Sequence, residues 1–222
     1  MPNLLDVPGW ADSALQGITY WIGWNHTKFR HWPLTEGAIV AELQRLIDAS
    51  LESNEALFPE VNAHNLVQLD PFPADIKGCR YDMVVAKRKQ QKKERWLRPA
   101  TDELSQYATA VIEVKRNPAF QELKKDIRKL ANLAKYSKKT RFFVVVTSEG
   151  KPFTKDLAVK VNNGDYHAKK TMCSLNDGDG TSTAKYKVRR LCRALSTVSP
   201  IANKRQGGRH YACLIEVWPP SD

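Results

Sequence analysis

Tyr107-Ala108-Thr109-Ala110-Val111-Ile112-Glu113-Val114-Lys115 is the stretch on which the reading of this chain turns. Its run of β-branched residues predicts a strand over 107–115. Side chains alternate across a strand, so Glu113 and Lys115 share one face while Val114 points the other way. Val111, Ile112 and Val114 favour burial. An acid and a lysine among them are costly unless they are paired or bound to something.

Upstream, residues 80–86 predict a second strand, with Asp82 near its start. Thirty residues separate Asp82 from Glu113. The two strands therefore predict a hairpin with a long connection, and residues 87–98 of it hold seven basic residues against one acid. Such a run is either a solvated loop or an arm that lies along phosphates. An arm of that kind would use Lys87, Arg88, Lys89, Lys92 and Lys93. Downstream, Pro118 opens a helix over 118–136, with Phe120, Leu123, Ile127, Leu130, Leu133 and Ala134 as its apolar stripe. Residues 141–147 are nearly all apolar, as expected of a strand buried in a sheet with helices on its face.

The clearest helix is predicted over 35–52. Thr35 suits an N-cap, and Ile39, Val40, Leu43, Leu46, Ile47 and Leu51 form one stripe. With Glu36 at 0° and about 100° per residue, these fall between about 280° and 60°, centred on Glu36 itself. Glu36 then points toward the body of the protein. The alternative is a carboxylate that serves the helix dipole at the first turn. Residues 53–79 read as loop, with a short strand around 65–69. Residues 1–34 form an aromatic-rich arm or short helix. Residues 151–222 form a basic extension packed on the same domain, with a basic helix over 184–197 and a final strand over 210–218.

Composition bounds the rest. The chain has 222 residues and a mass of 25.2 kDa, with 42% hydrophobic and 27% charged residues, so a single folded core is expected rather than disorder. Four scattered cysteines with no CxxC spacing argue against a disulfide scaffold or zinc knuckle and fit a reduced, cytoplasmic setting. No apolar run is long enough for a membrane helix, and the N-terminus lacks the basic start of a signal peptide. The net charge is +11. Residues 1–78 carry 4 basic and 10 acidic residues, and residues 79–222 carry 31 and 14. A chain with one strongly basic part points to a polyanionic partner, most often nucleic acid.

Two neighbouring carboxylates repel each other, a divalent cation relieves that repulsion, and a lysine beside it can hold a water. Asp82, Ile112-Glu113-Val114-Lys115, the earlier helix with Glu36 and the Lys/Leu-rich helix that follows together resemble the PD-(D/E)xK nuclease superfamily. One departure is that Tyr81, not proline, precedes Asp82. The resemblance implies an α/β fold, with a restriction-endonuclease-like αβββαβ core over 35–150 and a central mixed sheet flanked by helices. It implies that Asp82, Glu113 and the Val114 carbonyl ligate Mg²⁺, for which Mn²⁺ would substitute. Lys115 would orient and activate the attacking water, and Glu36 would hold a metal-bound water or help a second metal. Gln121 and Lys124 are weaker candidates for contacts near the scissile phosphate. The implied activity is a Mg²⁺-dependent endonuclease acting on DNA, of restriction or phage-defence type, with a homodimer as a compatible assembly. The alternatives are a non-catalytic nucleic-acid-binding module on the same fold, or a nuclease for RNA, branched or single-stranded DNA. A purely structural reading makes Asp82 a strand-end cap, and Glu113 with Lys115 a surface pair on an edge strand.

Overall fold

Hydrogen bonding between distant apolar runs organises the chain into one large sheet with a helix layer on each face. A computed structural model describes residues 7–28, 34–91, 95–149, 157–160, 166–168, 171–176, 182–195 and 209–220. In chain order the elements begin with α1 (Gly9–Lys28), α2 (Glu36–Asp48), β1 (Glu55–Asn62) and β2 (Arg80–Lys87). Next come β3 (Lys89–Gln91), β4 (Arg95–Leu97), α3 (Leu104–Tyr107), β5 (Ala108–Arg116), α4 (Phe120–Tyr136) and β6 (Arg141–Glu149). The last are β7 (Ala158–Lys160), β8 (Tyr166–Ala168), β9 (Cys173–Asn176), β10 (Ser182–Leu195) and β11 (Arg209–Trp218). The fold is α/β.

Among the described residues, the main sheet has seven strands in the order β1-β2-β5-β6-β11-β10-β9. Its pairs are antiparallel except β5 with β6, which run parallel and are joined through α4. A parallel pair needs a long crossover, and α4 supplies it. The pairs β3–β4 and β7–β8 form separate two-stranded ladders.

Strand alternation sends residues of the same strands into two cores. Met83, Val85, Ile112, Val114, Phe143, Val145 and Leu214 pack against α1 and α2. Val84, Val111, Phe142, Val144, Val146, Cys213 and Ile215 pack against α4. The central strands are therefore covered on both sides, which is why their sequences are continuous apolar runs rather than alternating ones. In α2 the buried residues are Ile39, Leu43 and Ile47, and the Thr35 side chain accepts the Ala38 N–H at 3.1 Å. Gly17 allows α1 and α2 to approach closely, since a Cβ there would stand 2.8 Å from Leu46 Cδ2.

Several expectations need correction. The strand expected around 65–69 is absent, and residues 63–65 form a 3₁₀ turn instead. The strand lies earlier, at β1, where Pro59 and the exposed Glu60 disguise it. β1 is an edge strand, the position in a sheet that tolerates proline. The basic helix expected over 184–197 is the strand β10, in which Ala184, Tyr186 and Val188 face the core and Lys185 and Lys187 alternate with them. A register shift between Val188 and Arg190 breaks that alternation and hides it. The aromatic N-terminal stretch forms a 20-residue helix whose Trp10 meets Phe143 edge-on, with ring centroids 6.0 Å apart. The C-terminal segment adds β9, β10 and β11 to the main sheet, with β11 paired to β6. Among the described residues, no helix is long and apolar enough to cross a membrane, and all four cysteines are free.

Candidate functional site

The site forms where β2 and β5 part. Their pairing reaches Met83 opposite Ile112, and beyond that point the Asp82 side chain takes over, with Oδ2 accepting the Val114 N–H at 2.7 Å. Burial raises the Asp82 pKa, opposed by this hydrogen bond and by the charges of Lys115 and Lys129.

Glu113 is deeply buried on the α4 side of β5. Its Oε1 accepts a hydrogen bond from Lys129 Nζ at 2.5 Å. Burial pushes its carboxyl up to about 7, even though Lys129 pulls it down, and Asp82 adds to the rise. Lys129 also donates to the Arg80 carbonyl and lies 4.6 Å over the Tyr81 ring.

Lys115, two residues on, donates from Nζ to Glu36 Oε1 at 3.1 Å. Its Nζ is 3.9 Å from Asp126 Oδ2. Burial alone would lower the Lys115 pKa, but the Glu36 hydrogen bond and the charges of Asp126, Glu36 and Glu113 reverse that and raise it. Glu36 Oε2 takes the Arg116 N–H at 3.3 Å, and Arg116 itself is forked onto Glu149 at 2.8 and 3.1 Å. Asp126 is raised chiefly by burial, against the pull of Lys115 and Lys129.

The cluster thus unites Glu36, Asp82, Glu113 and Lys115 with two residues that the sequence reading passed over, Asp126 and Lys129. The signal for Asp126 was present. With Leu123 at 0° on α4, Asp126 falls at about 300°, between Leu133 at about 280° and Leu130 at about 340°. It is an acid on the apolar arc, as Glu36 is on α2.

The expected nucleic-acid contacts that fall among the described residues lie away from this cluster. Lys87 is bound to Glu55 at 3.1 Å and Asn54 at 3.3 Å. Arg88 Nε donates to the Glu55 carbonyl at 2.6 Å, and Lys89 pairs with Glu103. Lys87 ends β2, five residues from Asp82, a separation of roughly 17 Å along an extended strand. Lys92 and Lys93 fall outside the described residues. Gln121 is exposed, and Lys124 lies 4.9 Å over the Phe120 ring. On α4 these two fall at about 160° and 100°, away from the arc that carries Asp126.

Four acids and two lysines leave this cluster two negative charges in excess when all are ionised. Among the described residues, no three His, Cys, Asp or Glu side chains converge as a group that could hold a metal ion. On the facing strands β2 and β5 the carboxylate donors are Asp82 and Glu113, the latter already sharing a lysine. Their charge excess, and the way Asp82 raises the Glu113 pKa, suit a hard divalent cation with oxygen ligands. Compared with protein-family models, curated proteins and solved structures, the chain matches none of them.

Proposed function

We propose that the chain is a divalent-metal-dependent nuclease of PD-(D/E)xK type that hydrolyses phosphodiester bonds, with DNA as its substrate. The observation that carries this reading is convergence. Glu36 and Lys115, 79 residues apart in sequence, share a hydrogen bond. Asp82, 32 residues before Val114, takes the N–H that lies between Glu113 and Lys115. The element order α2-β1-β2-β5-α4-β6, antiparallel until the final parallel pair, supports it as the αβββαβ order of a restriction-endonuclease-like core.

In this reading Asp82, Glu113 and the Val114 carbonyl hold Mg²⁺, with Mn²⁺ as a substitute. When bound, the ion polarises a phosphoryl oxygen and makes a water more acidic. Lys115 remains an ammonium because its acid neighbours raise its pKa. It orients the attacking water and offsets charge on the phosphate. Glu36 fixes the lysine from α2, and Lys129 steadies Glu113 from α4. A second reading, a binding module without catalysis, draws on one observation: Lys129 already gives Glu113 a cationic partner.

One experiment separates the two. Wild type and Asp82→Ala are incubated with plasmid, linear duplex, single-stranded DNA and RNA, each with Mg²⁺, Mn²⁺ or EDTA. Cleavage by wild type alone, abolished by EDTA, is the expected result. Equal binding of DNA by both proteins, with no cleavage under any ion, would overturn the nuclease reading in favour of the binding module.

A further inference from the structure

We propose that Asp126 is a positioning residue that clamps Lys115 from the α4 side while Glu36 holds it from the α2 side. The catalytic part of this inference rests on the nuclease reading above; the positioning part does not. The helices α2 and α4 belong to opposite layers of the sheet. Lys115 sits near the end of β5 and is reached by both, at 3.1 Å from Glu36 and 3.9 Å from Asp126.

The two anchors are unequal. Glu36 lies in the exposed first turn of α2, with its side chain 45% exposed, against 15% for Asp126. An exposed ion pair is a weak restraint on a flexible lysine chain. Asp126 is set mid-helix between the buried Leu123, Ile127 and Leu130, so its carboxylate has little freedom to follow solvent. Among the described residues its one ion pair is with Lys115. A half-desolvated carboxylate on an apolar arc is a cost to folding, and a cation that it must hold in place accounts for its presence. Two acids pulling from opposite sides fix the ammonium in direction as well as distance.

The test measures Lys115 directly. Competitive acylation of lysines, read by mass spectrometry, reports how freely Lys115 leaves its partners, whether or not the protein cleaves anything. In Asp126→Asn, Lys115 should label severalfold faster than in wild type, and Asp126→Glu should restore slow labelling. Asp126→Ser removes the same charge in less space and serves if asparagine disturbs the fold, which thermal melting checks. In cleavage assays Asp126→Asn should lower kcat by about tenfold to a hundredfold with KM little changed, the scale expected of a misplaced catalytic group. Unchanged Lys115 labelling in both charge-removing variants would overturn the clamp. Faster labelling with kcat intact, in a protein whose wild type cleaves, would overturn its catalytic role. Faster labelling in the charge-removing variants of a protein whose wild type never cleaves would retain the clamp and dismiss only the nuclease reading.

Discussion

Replacing Glu113 by glutamine should make the metal-free protein gain stability, relative to wild type, as the pH rises from 5 to 8. Glu113 is 3% exposed, and burial moves its carboxyl from the ordinary 4.5 up to about 7. Below pH 4.5 the group is protonated in both folded and unfolded chains. Above about 7 it is ionised in both. Between the two, the folded chain keeps a proton that the unfolded chain has released, so stability falls as the pH rises through that window. The gap, at about 1.4 kcal/mol per pH unit, amounts to about 3 kcal/mol. Glutamine has the same shape and never ionises, while Lys129 keeps the Arg80 carbonyl and the Tyr81 ring. The stability difference between variant and wild type should therefore grow by about 2.5 kcal/mol in the variant's favour from pH 5 to 8. Urea unfolding in EDTA, followed at a series of pH values, measures it. A difference that stays flat, or that moves toward wild type as the pH rises, would refute the reasoning: it would mean that Lys129 outweighs the desolvation of the ionised acid.

Two further substitutions test the frame around the site. Thr35→Ala removes the acceptor for the Ala38 N–H and should cost about 1 kcal/mol in urea unfolding, while Thr35→Gly should cost only a few tenths of that. Glu216 is buried on β11, forked by Arg141 at 2.8 and 3.1 Å and met by Arg189 at 2.5 Å. Glu216→Ala removes the acid that these two guanidinium groups share and should destabilise by about 1–3 kcal/mol in the same assay. Glu216 pairs across the sheet with Phe143, whereas Lys115 lies opposite Val146 farther along β6, so cleavage per folded molecule should be unaffected.

Strands with runs of valine and isoleucine were legible because both of their faces are buried: β2, β5, β6 and β11 begin and end within two residues of the expected stretches. The helix α2 was legible from Thr35 and its stripe, and the same stripe gave Glu36 an inward direction. The structure brings Glu36 onto Lys115. What escaped depends on contacts that sequence spacing does not encode. β1 carries polar residues because it lies at the sheet edge, and the bulge in β10 shifts its side chains between faces midway. The acids that pair with the charge run at Lys87–Lys89, Glu55 and Glu103, lie 32 and 14 residues away, so its neutralisation is not visible in sequence spacing. Asp126 was readable by helix geometry but was lost among the charges of a very polar helix.

The insertion of β11 between β6 and β10 sets an order on biosynthesis. Seven of the nine residues of β6 are buried, yet one of its two hydrogen-bonding edges is closed only by β11, which begins 60 residues after β6 ends. Until that late strand leaves the ribosome, Phe142 to Val146 present an open, apolar edge of high β propensity, the kind of segment that pairs with other chains. A nascent chain stalled before Arg209 would thus be an aggregation hazard. Holdase chaperones would be expected to meet this protein on β6 rather than at its site.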